Sequence, residues 1–485
     1  MTIDSMRHSN SWIHRWTWLA CALLIACGWS AADPVRADAE KALTAPFTGD
    51  LDGMAERGVV RVGSTFSRTN FFLDDGVPRG MVWEVVERFE RQLRDRGGAL
   101  EDVRVVIVPL ARDVLFDALA EGRVDVLAAN LSITPERAGQ VAFSAPLATG
   151  IRELVVTGPS GPALKTLDDL AGQPVHVRTS SSYRESLERL QRDFRERGLE
   201  PPEIVPVDEL LETEDILELV AAGVYPTTVA DSSLTALWGE VLPALTVRED
   251  LVLRDDVAIA WAMRPDAEAL KAAVDAFVGE HRRGTLFGNI VIRRYFRDNP
   301  WVRNPLNEED RARFDELSGL FRHYAGQYEI DWLLSAAQGY QESRFDQSLV
   351  SPVGAVGIMQ LLPTTAADPV VGIPEIEDEE NNIHAGVKYK NVLLERYFDE
   401  PELDALERRL FALAAYNAGP ARIRQYRRRA EEMGLDRNRW FRNVELVSNP
   451  ETRTYVANIF KYYLSYREYQ RRVDALKAVR PADPG

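Results

Sequence analysis

The sequence predicts an α/β domain followed by a mainly helical one. Three observations carry this. Between about residues 57 and 282, short β-branched runs alternate with stretches whose apolar residues recur at helical spacing. From Arg311 onward the strand signals fade and helical periodicity takes over. Between the two, Pro300, Asn304, Pro305 and Asn307 mark a linker over 298–310.

The 485 residues suffice for two or three domains with their own cores. A formal net charge of −17 argues against nucleic acid, whose phosphates need a basic face. The two cysteines, Cys21 and Cys27, lie near the N-terminus, so the rest of the chain is expected to hold no disulfide and no thiolate metal site. With six scattered histidines, no metal and no other cofactor is expected. The acidic run Glu377–Glu380 is expected to be a solvated face before a helix.

Residues 1–37 have the form of an export signal. Arg7, His8, His14 and Arg15 precede an apolar run from Trp16 to Ala26 that is short for a membrane span. Leu24-Ile25-Ala26-Cys27 is similar to a lipobox, which would make Cys27 a lipidated N-terminus. The small residues at Ser30–Ala32 and Val35–Ala37 offer ordinary cleavage instead. Both routes lead to the periplasm, the first with attachment to the outer membrane. Residues 38–54 are expected to form a linker.

In the front domain, Val59–Gly63, Val105–Val108 and Val124–Leu127 are expected strands, with helices over Met81–Leu93 and Asp113–Glu121. A second set follows: strands at Glu153–Val156, Val175–Val177, Ile204–Val207 and Thr228–Ala230, and helices over Tyr183–Arg195 and Asp215–Ala222. Val257–Trp261 and a helix over Asp266–Arg282 close the region. The stretches Asn130-Leu131-Ser132-Ile133-Thr134-Pro135-Glu136-Arg137 and Val141–Pro146 resemble the signature of the family 3 extracytoplasmic solute-binding proteins. The resemblance covers 55–297. It implies a periplasmic-binding-protein-like bilobal fold, with lobe 1 at 55–149 and 250–297 and lobe 2 at 150–249. It also implies an amino acid or cell-wall peptide as ligand. Ser132 and Arg137 would grip its carboxylate, for which the planar guanidinium fork is suited. Asp231 would take the ammonium, and residues 178–182 would form a second-lobe rim. The plainer alternatives are a surface salt bridge for Arg137 and a helix N-cap for Asp231.

In the rear domain, 311–472, helices are expected over 312–324, 332–341, 384–397, 408–416, 421–432 and 452–472, with a flexible tail at 473–485. Leu333, Ala336, Ala337 and Tyr340 lie on one helical face, and Glu342 sits at that helix's end. Gly354 and Gly357 permit a sharp reversal before Met359 and Gln360. Pro363 is placed to start another helix. Downstream come Asn382-Ile383, Ala385-Gly386 with Tyr389, then Tyr416-Asn417-Ala418-Gly419, then Pro450–Arg453 with Tyr455.

Taken together and in this order, these blocks resemble the catalytic domain of the lytic transglycosylases, which cleave bacterial peptidoglycan without water. One departure is Lys390, where the family pattern usually has Leu. The resemblance implies a lysozyme-like helical fold and peptidoglycan as substrate. The bond cleaved would be the β-1,4 link between N-acetylmuramic acid and N-acetylglucosamine, leaving 1,6-anhydromuramoyl ends. Glu342 would be the catalytic acid and then the base. Ser343, Met359, Gln360, Tyr416, Asn417 and Tyr455 would bind substrate, with packing alone the alternative for Met359. The chemistry needs a carboxyl that keeps its proton near neutrality, against an ordinary pKa of about 4.3, and burial supplies that. Two other readings stand beside this one. Asp346 could serve as a second carboxylate in a lysozyme-like hydrolase, although capping the next turn is its ordinary role. Or the chain could be a solute receptor whose rear domain binds peptidoglycan without cleaving it.

Overall fold

The computed structural model describes residues 42–74, 77–285, 288 and 305–479. The export-type segment with Cys27, and most of the 298–310 linker, lie outside these. Of the first of the chain's two units only residues 42–45 are described, and 42–44 make a turn of helix. Residues 46–485 form the other unit, which holds both the front and the rear domain.

The front domain is built on one continuous sheet path. Its strands are β1 (Val59–Ser64), β2 (Phe72–Asp74), β3 (Val77–Arg79), β4 (Arg104–Pro109), β5 (Val126–Ser132), β6 (Ala142–Phe143), β7 (Ala148–Thr157), β8 (Pro174–Arg178), β9 (Glu203–Val207), β10 (Thr227–Asp231) and β11 (Thr246–Met263). The order is β4-β1-β5-β11-β7-β10-β8-β9, with β2 and β3 as a separate hairpin. Within each lobe the crossover strands are parallel: β1 with β4 and β5, and β8 with β9 and β10. The lobes are joined by β7 and β11, which pair antiparallel and run through both. The sheet is therefore parallel among the crossover strands and antiparallel where β5 and β10 meet the connecting pair.

β11 begins eleven residues before the expected Val257. Arg248, Glu249, Asp250, Arg254, Asp255 and Asp256 hide it in the sequence, because its early part has an exposed side and shifts register repeatedly against β7. Charged residues on such an edge discourage pairing with another chain. Helices α1 (Leu51–Arg57), α2 (Met81–Asp95), α3 (Leu115–Ala120), α4 (Ser182–Glu196), α5 (Thr213–Ala221), α6 (Ser232–Val241) and α7 (Glu268–His281) cover the sheet. Helix α1 starts inside the expected 38–54 linker, because the Asp50 side chain accepts from the Leu51 N–H and caps it. Helix α2 buries Val82, Val86, Phe89 and Leu93, the face its spacing predicts.

The rear domain is helical: α8 (Glu308–Gln327), α9 (Trp332–Ser343), α10 (Glu379–Tyr397), α11 (Ala405–Ala418), α12 (Pro420–Glu432) and α13 (Pro450–Val479) are its main helices. Helix α8 starts inside the expected linker, because the Asn307 side chain accepts from the Asp310 N–H and caps it. Helix α13 runs on to Val479, past the expected limit at 472. Residues 473–479 contain no glycine or proline, and a breaker first comes at Pro481. Asp378 caps α10, with Glu379 and Glu380 in its first turn, where acids suit the helix dipole. Glu380 accepts from the Tyr324 hydroxyl at 2.6 Å, and Glu379 pairs with Arg313, so this acidic run is only partly solvated.

The two domains share one apolar core. Val207, Leu211, Ile216, Leu219, Val220, Val224 and Tyr225 of lobe 2 belong to the same buried cluster as the rear-domain helices. Lys461 of α13 donates to the Phe66 carbonyl at 2.9 Å and to Asp215 of α5 at 3.0 Å. Arg442 pairs with Asp113 of lobe 1 at 2.6 Å.

Candidate active site and ligand cleft

Asp331 caps α9 by accepting from the N–H groups of Leu333 and Leu334. Eight of the helix's twelve residues are buried, among them Gln338, Tyr340 and Ser343. The helix ends abruptly. Arg344 and Phe345 both take positive φ, 56° and 64°, a conformation side chains resist. Phe345, 1% exposed, is drawn into the core against Tyr340, and Arg344 pairs with Asp310. Local strain of this kind is held by its surroundings, and here it fixes the last turn that carries Glu342.

Glu342 is partly buried and accepts from the Tyr455 hydroxyl at 2.5 Å. Burial pushes its pKa up to about 7, although the hydrogen bonds from Tyr455 and Gln338 pull the other way. Its hydrogen-bonding neighbours are thus a phenol and an amide. Asp346 is exposed and accepts from the Ser348 N–H at 2.8 Å and hydroxyl at 2.6 Å, bracing the turn. Those bonds hold its pKa down, the state of an ordinary turn-capping acid.

The remaining residues named from the sequence separate into two groups. Tyr455 and Tyr416 lie beside Glu342, whose charge helps to raise the pKa of both phenols after the larger effect of burial. Tyr416 donates to the Met359 carbonyl at 2.9 Å. Asn417 is partly exposed, faces Glu451 at 3.4 Å and accepts from the Thr452 hydroxyl at 2.8 Å. The others brace the scaffold. Ser343 is buried and donates to the Gly339 and Ile358 carbonyls. Met359 is fully buried, so its side chain is packing, as the plainer alternative had it. It fills the space beside Gly386, where an added Cβ would come within 2.6 Å of it. Gln360, at φ 44°, donates to the Leu349 and Gly357 carbonyls.

Asn382 was legible only as a family block. It accepts from the Met359 N–H at 2.8 Å and donates to the Val356 and Ile376 carbonyls, fastening the reversal to α10. Gly357 must be glycine there: its φ is 75°, and a Cβ would fall 2.5 Å from the Asn382 amide. Gln338 escaped sequence reasoning. It donates to the Tyr455 oxygen at 3.0 Å.

In the front domain, Ser132 and Arg137 line a cavity between the lobes together with Arg112, Arg178, Tyr183 and Glu212. Its volume of about 30 Å³ is room for a water or two. Protein contacts close it. Arg137 reaches across to the Ser180 carbonyl at 3.0 Å and to Glu185 at 3.6 Å. Arg112 of lobe 1 grips Glu212 of lobe 2 at 2.6 Å, and the Ser182 hydroxyl meets Ser132 at 3.3 Å. Asp231 does not line the cavity. One carboxylate oxygen caps α6 through the Ser233 and Leu234 N–H groups, and the other accepts from Asn130 and Tyr183. Its position at a strand-to-helix junction makes it the N-cap. The Arg112–Glu212 pair was not expected, since no local pattern links residues a hundred positions apart.

A helical domain that sets the raised-pKa carboxyl of Glu342 beside two phenols, behind a bilobal cleft, has the parts of an acid–base enzyme joined to a ligand-binding fold. The family models give the class: a peptidoglycan-cleaving enzyme fused to a solute-binding-type domain. Residues 319–438 match the Transglycosylase SLT domain, and residues 59–296 match the bacterial extracellular solute-binding proteins, family 3. The chain is 29% identical to the membrane-bound lytic murein transglycosylase F of Desulfosudis oleivorans, over 87% of this chain and 89% of that protein. It is 30% identical to the protein of that name from Shewanella frigidimarina, over 88% and 83% respectively. Among solved structures, an ancestral arginine-binding protein bound to arginine aligns with a TM-score of 0.41 at 20% identity, over 49% of this chain and 98% of that one. The chain belongs to the membrane-bound lytic murein transglycosylase F family. It is a lytic transglycosylase with an amino-acid-binding-like front domain.

Proposed function

We propose that Glu342 acts as acid and then base at the bond between N-acetylmuramic acid and N-acetylglucosamine. In the first step its proton passes to the glycosidic oxygen, and the C1–O bond breaks as the substrate's own acetamido oxygen bonds to C1. In the second step the carboxylate takes the proton of the C6 hydroxyl. O6 then bonds to C1 and displaces the acetamido oxygen. Glu342 is left protonated, and no water is consumed. The observation that carries this reading is a carboxyl poised near pH 7 by burial, with a phenol rather than a second acid as its partner. Tyr455 steadies the carboxylate formed after the first transfer. Tyr416 lines the same cleft, Asn417 contacts the sugar, and Gln360, whose amide nitrogen is held by the Leu349 and Gly357 carbonyls, offers the sugar its amide oxygen. Digestion of murein by the wild type and by Glu342→Gln, with mass analysis, tests it. Anhydro ends from the wild type and none from the variant are expected; reducing ends would return the hydrolase reading.

The front domain is proposed to bind an amino acid or a cell-wall peptide through Arg137 and Ser132 and to modulate cleavage. Support comes from the family match and from Arg137 at the interlobe cavity. Entry of such a ligand requires the lobes to part. Calorimetry with amino acids and stem peptides, on wild type and Arg137→Ala, tests this; heat from neither class would leave the domain a structural module.

The protein is further proposed to work in the periplasm, attached to the outer membrane through a lipidated Cys27. Among the described residues no helix is long and apolar enough to cross a membrane. Cell fractionation of Cys27→Ser, expected to release the protein from the membrane, tests the anchor.

A further inference from the structure

Lys390 lies within α10 and is 1% exposed. A buried ammonium is expensive unless its protons find acceptors, and nothing in the reaction above uses this one. Its Nζ donates to the Ser335 hydroxyl oxygen at 2.8 Å and to Gln338 Oε1 at 3.1 Å. Ser335 gives its own proton to the Asp331 carbonyl at 3.1 Å. On the far side of the amide, Gln338 Nε2 donates to Tyr455 Oη at 3.0 Å, and Tyr455 Oη donates to Glu342 Oε1 at 2.5 Å. Lys390, Gln338, Tyr455 and Glu342 thus form one file of hydrogen bonds with every donor pointing the same way.

The direction of that file depends on its first member. A primary amide has two ends of nearly equal size, one donating and one accepting, and a phenol can do either. An ammonium only donates. We propose that Lys390 is a positioning residue: it holds Oε1 of Gln338 toward itself, which turns Nε2 toward Tyr455 and commits the tyrosine's single proton to Glu342. With an apolar residue at 390, the amide is free to turn its oxygen to the phenol, which then donates away from Glu342. The charged groups acting on Lys390 are Asp331, at the start of α9, and Arg409 of α11. On the Glu342 side the titratable neighbours are the neutral phenols of Tyr455 and Tyr416, from α13 and α11. Burial also lowers the pKa of Lys390 to about 7, so the device is firmest on the acid side of neutrality, where the lysine is a cation.

This inference rests on Glu342 being the acid, and the experiment separates the two. Lys390→Met is made in the full-length wild type and in Tyr455→Phe, and murein cleavage is followed against pH. In the wild-type background kcat is expected to fall about tenfold with KM within twofold, and the alkaline limb of the kcat profile to move upward as Glu342 loses its donor. In the Tyr455→Phe background no phenol proton remains to be aimed and only the direct contact of Gln338 with Glu342 can be lost, so the same substitution is expected to lower kcat by no more than about twofold to threefold, clearly less than in the wild type. Thermal unfolding is expected at or above the wild-type temperature, because a buried cation is replaced by an apolar side chain of similar length. Should the methionine variant fail to fold, Lys390→Leu carries the same cycle. A wild-type kcat and pH profile, or an equal loss in both backgrounds, overturns the role of Lys390 while an inactive Glu342→Gln keeps the acid in place. A fully active Glu342→Gln overturns both.

Discussion

Two glutamates shielded from water, Glu212 fully and Glu342 in part, show how burial serves opposite ends in the two domains. Glu212 sits between the lobes with its carboxylate gripped by Arg112 and with Arg178 close by. Burial alone would raise its pKa, but the two guanidinium groups win and hold it at about 2. Glu342 is given only neutral partners, so burial wins and its pKa rises to about 7. A carboxylate with an arginine is a clasp, fixed in one charge state. A carboxyl with a phenol and an amide is a group that can exchange its proton at neutral pH.

The comparison can be broken at either end. Glu342→Gln is expected to have the largest effect, a loss of about 10³-fold or more in murein cleavage with the fold retained, since the amide has the shape of the protonated acid. A drop in thermal stability matching the loss of activity would show instead that Glu342 is structural. Glu212→Gln removes one partner of a buried pair and leaves Arg112 uncompensated. It is expected to destabilise the protein by about 3 kcal/mol in urea denaturation at pH 7, and a change under about 0.5 kcal/mol would mean that the clasp does not hold the lobes.

Tyr455→Phe is expected to lower kcat by about tenfold to a hundredfold and to raise the pKa of Glu342 further, because the lost hydrogen bond favoured the carboxylate. An unmoved alkaline limb would remove Tyr455 from the proton chemistry. The smallest effects are in pH. Cleavage by the wild type is expected to decline as pH rises through about 7, where Glu342 gives up the proton that the first step needs. Stability carries the two acids with opposite sign. The folded pKa of Glu212 lies below its ordinary 4.5, so its contribution is present above 4.5 and is lost as pH falls toward 2. That of Glu342 lies above 4.5, so its contribution is full below 4.5 and is lost as pH rises through about 7. Denaturation of wild type, Glu212→Gln and Glu342→Gln across pH 3–8 separates them: each variant should flatten its own window only.

The acid and its phenol were legible because Glu342 and Tyr455 stand in short blocks whose order is distinctive. The front-domain fold was legible because strands and helices alternate with clear periodicity. What the sequence concealed has a common cause. Gln338 and Tyr455 are 117 positions apart, and Lys390 and Gln338 are 52 apart. Nothing local says that three helices bring them into one file. Lys390 stood out only as a misfit in an otherwise apolar position. Asp231 could be read either as an ammonium-binding acid or as an N-cap, and its role turned on geometry, because both its oxygens are taken by the cap and by Asn130 and Tyr183. Early β11 was hidden by charged residues on its exposed side.

The apolar cluster that runs from Ile216, Leu219 and Val220 into the rear helices has a bearing on how this protein melts. A chain whose parts met only through a linker would unfold in stages, each with its own midpoint. Here the catalytic helices lose part of their own interior if lobe 2 is taken away. Heating should therefore give one calorimetric transition rather than two. A fragment beginning at the rear domain should come out of the cell as aggregate, with the face that lobe 2 covers left open to water.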